Sequence, residues 1–389
     1  MNCMRQIRFL RIHINGVRQI EKSCRIIGYE NYACYSTMKY FETKAMKTGK
    51  SKFSMENIPR ASSSSIVNPF SASENEEFMK YFPEIVEVLT KVPPCENQEL
   101  VKQLTTTATY NLDLGTKARG IATVVAYKAL KKHDLTPENI KLAVILGWCV
   151  RMVESFVLMF DDIVDNSWTR GGKLCWFRKN NVGMRAIIDG VYLENGVYYI
   201  LKKYFSTHPQ YVNLLEHFLE SNFTTFIGQS LDMMPRNLDD FTLVAAAMFL
   251  ANISDKEIHH QVKSLLSSMG TYCQIQNDFL DIYGNPEETG KIGTDIREGK
   301  FSWLAIRTLE KASDRQKILM KENYGKDNDN SYQIIRNLYD EMNLKEEYKR
   351  YKEQTYIDIQ HRISLLPVCL PHDLFYRFLD LVYNDKWSF

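Results

Sequence analysis

The chain has eight cysteines but no CxxC pair and no regular spacing between them, which excludes a disulfide framework or a zinc site built on cysteine pairs. Reduced thiols in an intracellular compartment are expected instead. Charge of one sign is lacking too: 49 basic and 47 acidic residues leave a formal +2, so no broad field attracts nucleic acid. Glycine-rich and alternating strand-like runs are scarce, which argues against a sheet domain, and no short internal repeat is apparent. No N-terminal apolar run is long enough for a secretory signal. The stretch Leu142 to Phe160 approaches membrane-spanning length, yet Arg151 and Glu154 interrupt it. A buried core helix is the better reading, and no transmembrane segment is expected.

What is present is apolar residues at three- and four-residue spacing, as in "NEEFMKYFPEIVEVLTKV" and "SWLAIRTLEKASDRQKILMKENY". With 389 residues and 44% hydrophobic content, the chain can bury one large all-α domain, a helical bundle around a deep central cavity. Three segments are expected. Residues 1–43 carry Arg5, Arg8, Arg11, Arg18, Lys22 and Arg25 against Glu21 and Glu30, and read as a mitochondrial presequence. Residues 44–77 are polar and Ser-rich and read as a flexible linker, and 78–389 form the folded domain.

Two acidic clusters carry the chemistry. In "FVLMFDDIVDNSWTRGG" an apolar run ends in Asp161, Asp162 and Asp165, and helical spacing stacks Asp161 on Asp165. In "QIQNDFLDIYGNPEETGKIGTDIREGK" the spacing returns as Asn277, Asp278 and Asp281, followed by Lys291, Asp295 and Lys300. Hard oxygen ligands on two helices, with cations close by, suit Mg²⁺ holding a diphosphate, because magnesium keeps few protein ligands and shares the substrate's phosphate oxygens. Either cluster alone reads as a solvated helix end; the pair carries the signal.

Together with "YNLDLGTKARG", "LGWCV", "FIGQSLD", "TGKIGTDI" and "KFSWLAI", these motifs make the chain from about Phe78 to Lys386 resemble the trans-isoprenyl diphosphate synthases, in particular the farnesyl diphosphate synthase-like ones of animals. The resemblance implies the isoprenoid synthase fold, a homodimer, and three Mg²⁺ ions held by Asp161, Asp162, Asp165, Asn277, Asp278 and Asp281. It also implies substrate contacts from Arg119, Arg170, Gln229, Gln274, Lys291 and Lys300. Catalysis, the ionisation of an allylic diphosphate, would fall to Asp161, Asp165, Arg170 and Lys291.

Departures from the family concentrate where isopentenyl diphosphate would sit. Thr116 stands for a lysine, Ala118 for an asparagine, Glu154 for a glutamine and Gly171 for the second of two arginines; Arg119 alone is kept. Unit charges about 4 Å apart interact by roughly 4 kcal/mol at a protein-like dielectric, so a carboxylate there repels a diphosphate. Each lost charge-assisted donor weakens binding by about 1.5 to 3 kcal/mol more. Lys117, one residue out of register, and protonation of Glu154 are the available compensations. Asn277 opens the second cluster as in class I terpene synthases.

The expected activity is therefore that of an insect-type terpene synthase derived from a prenyltransferase, converting farnesyl diphosphate (geranyl diphosphate next) to a sesquiterpene. Phe156, Phe160 and Phe223 would steady the cation, and Val157 would deepen the pocket. A chain-elongating farnesyl or geranyl diphosphate synthase is the alternative. A third reading is a non-catalytic partner subunit or inactive shortened isoform, because a helix-length segment of the family is missing between Thr242 and Leu243. His259 and His260 are expected at the surface, and "DNDNS" (Asp327 to Ser331) as a solvated loop.

Overall fold

Serine starts the fold earlier than a Ser-rich linker would suggest. The Ser71 hydroxyl accepts the Glu74 N–H at 3.2 Å while the Glu74 carboxylate accepts the Ser71 N–H at 2.8 Å. This capping box opens α1 (Ala72–Met79), ahead of Phe78. The computed structural model describes residues 70–91, 97–164, 167–231, 241–285 and 293–384, without the side chains of 228–231 and 241–242. The presequence reading, most of the linker, Asp165, Lys291 and the Gln229 side chain lie outside the described residues.

Pro83, near the start of α2 (Phe82–Thr90), breaks the single helix that the apolar spacing suggests. Both short helices are anchored by Trp148, whose ring stacks on Phe78 at 4.4 Å and Phe82 at 4.9 Å and whose indole N–H donates to the Phe78 carbonyl at 3.1 Å. Next come α3 (Gln98–Leu112), α4 (Ala118–Leu130) and α5 (Pro137–Val164). Helix α5 is long and apolar enough to cross a membrane, but 83% of its apolar stretch is buried inside the protein, as a core helix requires. It crosses α4 at Gly120 and Gly147. A Cβ on Gly147 would lie 2.4 Å from the Gly120 carbonyl oxygen, so only glycine permits this approach.

A two-stranded hairpin follows, β1 (Thr169–Arg170) and β2 (Lys173–Leu174), turned through Gly171 and Gly172. Both glycines have positive φ, the geometry of a type I′ turn. Beyond it lie α6 (Ala186–Phe205), α7 (Tyr211–Leu231), α8 (Phe241–Leu250) and α9 (Lys256–Tyr283). Helix α8 is apolar on every side and packs against α4, α5, α7 and α9. The C-terminal part comprises α10 (Asp295–Glu298), α11 (Trp303–Lys311), α12 (Asp314–Asn323), α13 (Asp329–Glu341), α14 (Leu344–Ser364) and α15 (His372–Tyr383). Serine caps at Ser302 and Ser313 split the second apolar pattern into α11 and α12.

Two local expectations are corrected. His259 is buried, stacked on Phe249 at 4.3 Å with a ring nitrogen 2.8 Å from the Ile253 carbonyl, because its face of α9 is the one turned to α8; His260 is exposed. "DNDNS" is a helix start, where the Asn328 side chain accepts the Ser331 N–H at 2.8 Å and caps α13.

Candidate functional site

The first acidic cluster ends α5, and the hairpin brings Arg170 back onto it. Arg170 donates from Nε and Nη2 to Asp162 at 3.0 and 2.7 Å, and from Nη2 to Asp161 at 3.0 Å. Burial works against the guanidinium charge, and Asp162 and Asp161 more than offset it. The Cys175 thiol, just past β2, also meets Asp162. Burial first, and that carboxylate second, push it up to about 12.

The second cluster lies on the last turns of α9 and organises two helix starts. Asp278 accepts the Trp303 N–H at the head of α11 at 2.7 Å, and the Gln274 side-chain amide at 2.8 Å. Gln274, expected at the substrate, thus bonds within its own helix. Asp281 accepts the N–H groups of Thr294 and Asp295 at 3.2 and 3.1 Å. Carboxylates at helix N-termini are favoured by the exposed amides there. Lys300, on the same loop, pairs with Glu298 at 3.2 Å and lowers the titration of both Asp278 and Asp295. Asn277 sits half-buried beside Asp278.

Crowding shows in the protonation of this cluster. Burial, with Asp281 nearby, pushes Asp278 up to about 6, and burial with Asp281 and Asp278 pushes Asp295 up to about 8. Among the described residues no three His, Cys, Asp or Glu side chains form a ready metal cluster. An oxygen-only donor set under mutual repulsion nevertheless fits a hard divalent cation that needs few protein ligands.

A pH prediction follows. Both carboxyls hold protons more tightly folded than unfolded, so their contribution to stability is complete below the unfolded value of 3.8 and is lost as pH rises through about 6 and about 8. The melting temperature of Mg²⁺-free protein is expected to fall across that window. Added Mg²⁺ should flatten the slope, and so should Asp295→Asn; a slope unchanged in that variant, followed by scanning calorimetry, contradicts the assignment.

The site of the departures is built differently from the expectation of an open, repelling carboxylate. Glu154 lies between two buried arginines, accepting from Arg119 Nη1 at 2.8 Å and from Arg151 Nη1 at 2.6 Å. Burial favours its neutral form, but Arg151 and Arg119 outweigh that and hold its titration below the usual carboxylate range. Protonation therefore does not relieve it. Lys117, the other available compensation, has its ammonium paired with Asp113 at 3.0 Å and donating to the Gly115 carbonyl at 3.2 Å.

The aromatic expectation is half corrected. Phe223 is 70% exposed on the outer face of α7. Phe226, one turn on, is the α7 aromatic that meets α5, at 6.1 Å from Phe156 and 5.9 Å from Phe160, which themselves meet at 6.2 Å. Val157 is buried. Sequence reasoning missed Phe226 and the pairing of Arg151. The second left a signal, since opposite charges three apart in an otherwise apolar helix seek partners.

Comparison with known proteins agrees with this architecture. Residues 101–342 match the family described as Polyprenyl synthetase. A farnesyl pyrophosphate synthase of Nezara viridula is 37% identical over 335 residues, covering 80% of this chain and 83% of the relative. That of Bos taurus is 36% identical over 344 residues, covering 81% and 97%. A solved T. brucei farnesyl diphosphate synthase complexed with homorisedronate superposes with a TM-score of 0.72 at 25% identity, covering 81% of this chain and all of that one. With the isoprenoid synthase fold and more than half its length matched, the chain belongs to the polyprenyl synthetase family, that of the trans-isoprenyl diphosphate synthases.

Proposed function

We propose that this chain acts on an allylic prenyl diphosphate and breaks its C1–O bond. The observation that carries this is the presence of two such clusters, an arginine-bridged acidic one at the end of α5 and a crowded oxygen one at the end of α9. Mg²⁺ held by Asp161, Asp162, Asp165, Asn277, Asp278 and Asp281 would supply positive charge to the leaving diphosphate. Arg170, fixed by two carboxylates, and Lys300 are the described cations that receive the departing charge, and Lys291 joins them by sequence.

The fate of the allylic cation separates two readings. Chain elongation by attack of isopentenyl diphosphate is supported by the farnesyl pyrophosphate synthases among the relatives, and stands first. Ionisation without a co-substrate, giving a sesquiterpene, is favoured by one specific observation. Part of the positive charge that would meet a second diphosphate is already answered, because Glu154 accepts from both Arg119 and Arg151 and the C-terminal carbonyls of α3 accept from Arg151. Under this reading Phe156, Phe160 and Phe226 offer the aromatic faces for the cation. Homodimerisation is proposed through the apolar outer faces of α6 and α7, where Ile188, Val191, Leu219 and Phe223 are exposed. Mitochondrial import of 1–43 is proposed on charge bias alone.

One experiment divides the readings: incubation with Mg²⁺ and farnesyl or geranyl diphosphate, with and without isopentenyl diphosphate, followed by separate analysis of volatiles and prenols. Longer prenols made only with isopentenyl diphosphate support elongation. A hydrocarbon or alcohol from the allylic substrate alone supports the second reading. No turnover under any condition rejects both and leaves the non-catalytic partner.

A further inference from the structure

Arg151 makes more polar contacts than a salt bridge needs. Besides Glu154, its guanidinium donates from Nε to the Leu112 carbonyl at 3.2 Å, and from Nη2 to the carbonyls of Asn111 at 3.1 Å and of Leu114. It thereby closes the C-terminus of α3 and fixes the residues just beyond. Ser155 adds a second bond to the Asn111 carbonyl at 3.2 Å.

Those fixed residues are the seat of the hairpin. Gly171 faces this loop, since a Cβ placed on it would come into ordinary contact with Leu114 Cδ1 at 3.5 Å and the Gly115 nitrogen at 3.7 Å. The far strand is tied to the same helix, because the Tyr110 hydroxyl donates to the Leu174 carbonyl at 2.7 Å. Arg170, next to Gly171, bridges Asp161 and Asp162. Glu154, Arg151, Leu114 and the facing Gly171 turn thus lie in succession up to Arg170.

We propose that Arg151 is a positioning residue for the diphosphate site: by holding the Leu114 loop on which the Gly171 turn seats, it fixes Arg170 on the first acidic cluster. The inference rests on the reading of Arg170 as a diphosphate contact. It gives the buried arginine pair a task that needs no second diphosphate.

The test combines Arg151→Met, Arg151→Lys and Leu114→Ala, the last leaving every buried charge in place so that a variant that folds is available. Amide exchange over residues 168–175 is expected to accelerate by about tenfold in Leu114→Ala and Arg151→Met, and the KM for farnesyl diphosphate to rise by about the same factor with kcat changed less. Arg151→Lys should recover part of both. Exchange is measured without turnover, so it judges the positioning even where farnesyl diphosphate is not consumed. Hairpin exchange equal to wild type in folded Leu114→Ala overturns the proposal. So does an Arg151→Met protein that loses stability throughout while its hairpin exchange and KM keep pace with wild type.

Discussion

Glu154→Gln is expected to open the protein to a second diphosphate. The wild-type carboxylate pairs with both Arg119 and Arg151, so an incoming anion must compete with it inside a buried site. An amide keeps one acceptor and gives up the charge, leaving two guanidiniums with an unmet preference for an anion. A unit charge about 4 Å away contributes roughly 4 kcal/mol at an effective protein dielectric, so even a partly screened change should raise affinity for isopentenyl diphosphate or inorganic pyrophosphate by at least about a hundredfold. Stability should fall, since removing one partner of a buried ion pair commonly costs about 3 to 5 kcal/mol and the retained acceptor recovers only part of it. Calorimetric titration of both proteins decides the matter. Tight uptake of isopentenyl diphosphate by wild type, or no gain in a folded variant, removes the observation that favours ionisation alone. Adding an arginine at position 171 is a poor companion change, because Gly171 has φ of +56° and a side chain there is strained.

Asp281→Ala should nearly silence the chemistry. This carboxylate anchors the amides of Thr294 and Asp295, sets the loop that carries Lys300, and belongs to the oxygen set suited to Mg²⁺. Loss of one preorganised electrostatic contact typically lowers turnover by about two to three orders of magnitude, and here the loop moves as well. Asp281→Asn separates the two roles: its carbonyl still accepts an amide N–H but carries no charge. Turnover of the allylic diphosphate is expected to stay low in the asparagine variant at saturating Mg²⁺, and Mg²⁺ should no longer raise the melting temperature. Near-normal turnover in Asp281→Asn would reduce Asp281 to a loop anchor.

Much of the helical framework was legible because it is local. The three- and four-residue spacing marked the helical regions, and Arg151 and Glu154 within a long apolar stretch distinguished a core helix from a membrane span. The spacing of Asn277, Asp278 and Asp281 is likewise local, and the last turns of α9 carry all three, whereas Asp165 lies outside the described residues. Phe223 misled because spacing orders residues around α7 without saying which side faces α5; Phe226 holds that side. His259 was misplaced likewise, its burial depending on α8 lying against it.

Spacing along the chain was enough to mark the helical regions and the two acidic clusters, though not the serine caps that open α1, α11 and α12. Tertiary structure alone decided what Glu154 does. Read along the chain it was expected to repel an incoming diphosphate. In space it is the counter-ion of Arg119, thirty-five residues away, and of Arg151, whose remaining donors reach back to α3. The physical reason is that electrostatic energy depends on separation and on exclusion of water. Helical spacing carries the first only within a few turns, and the second only once helices α3, α4 and α5 have packed together.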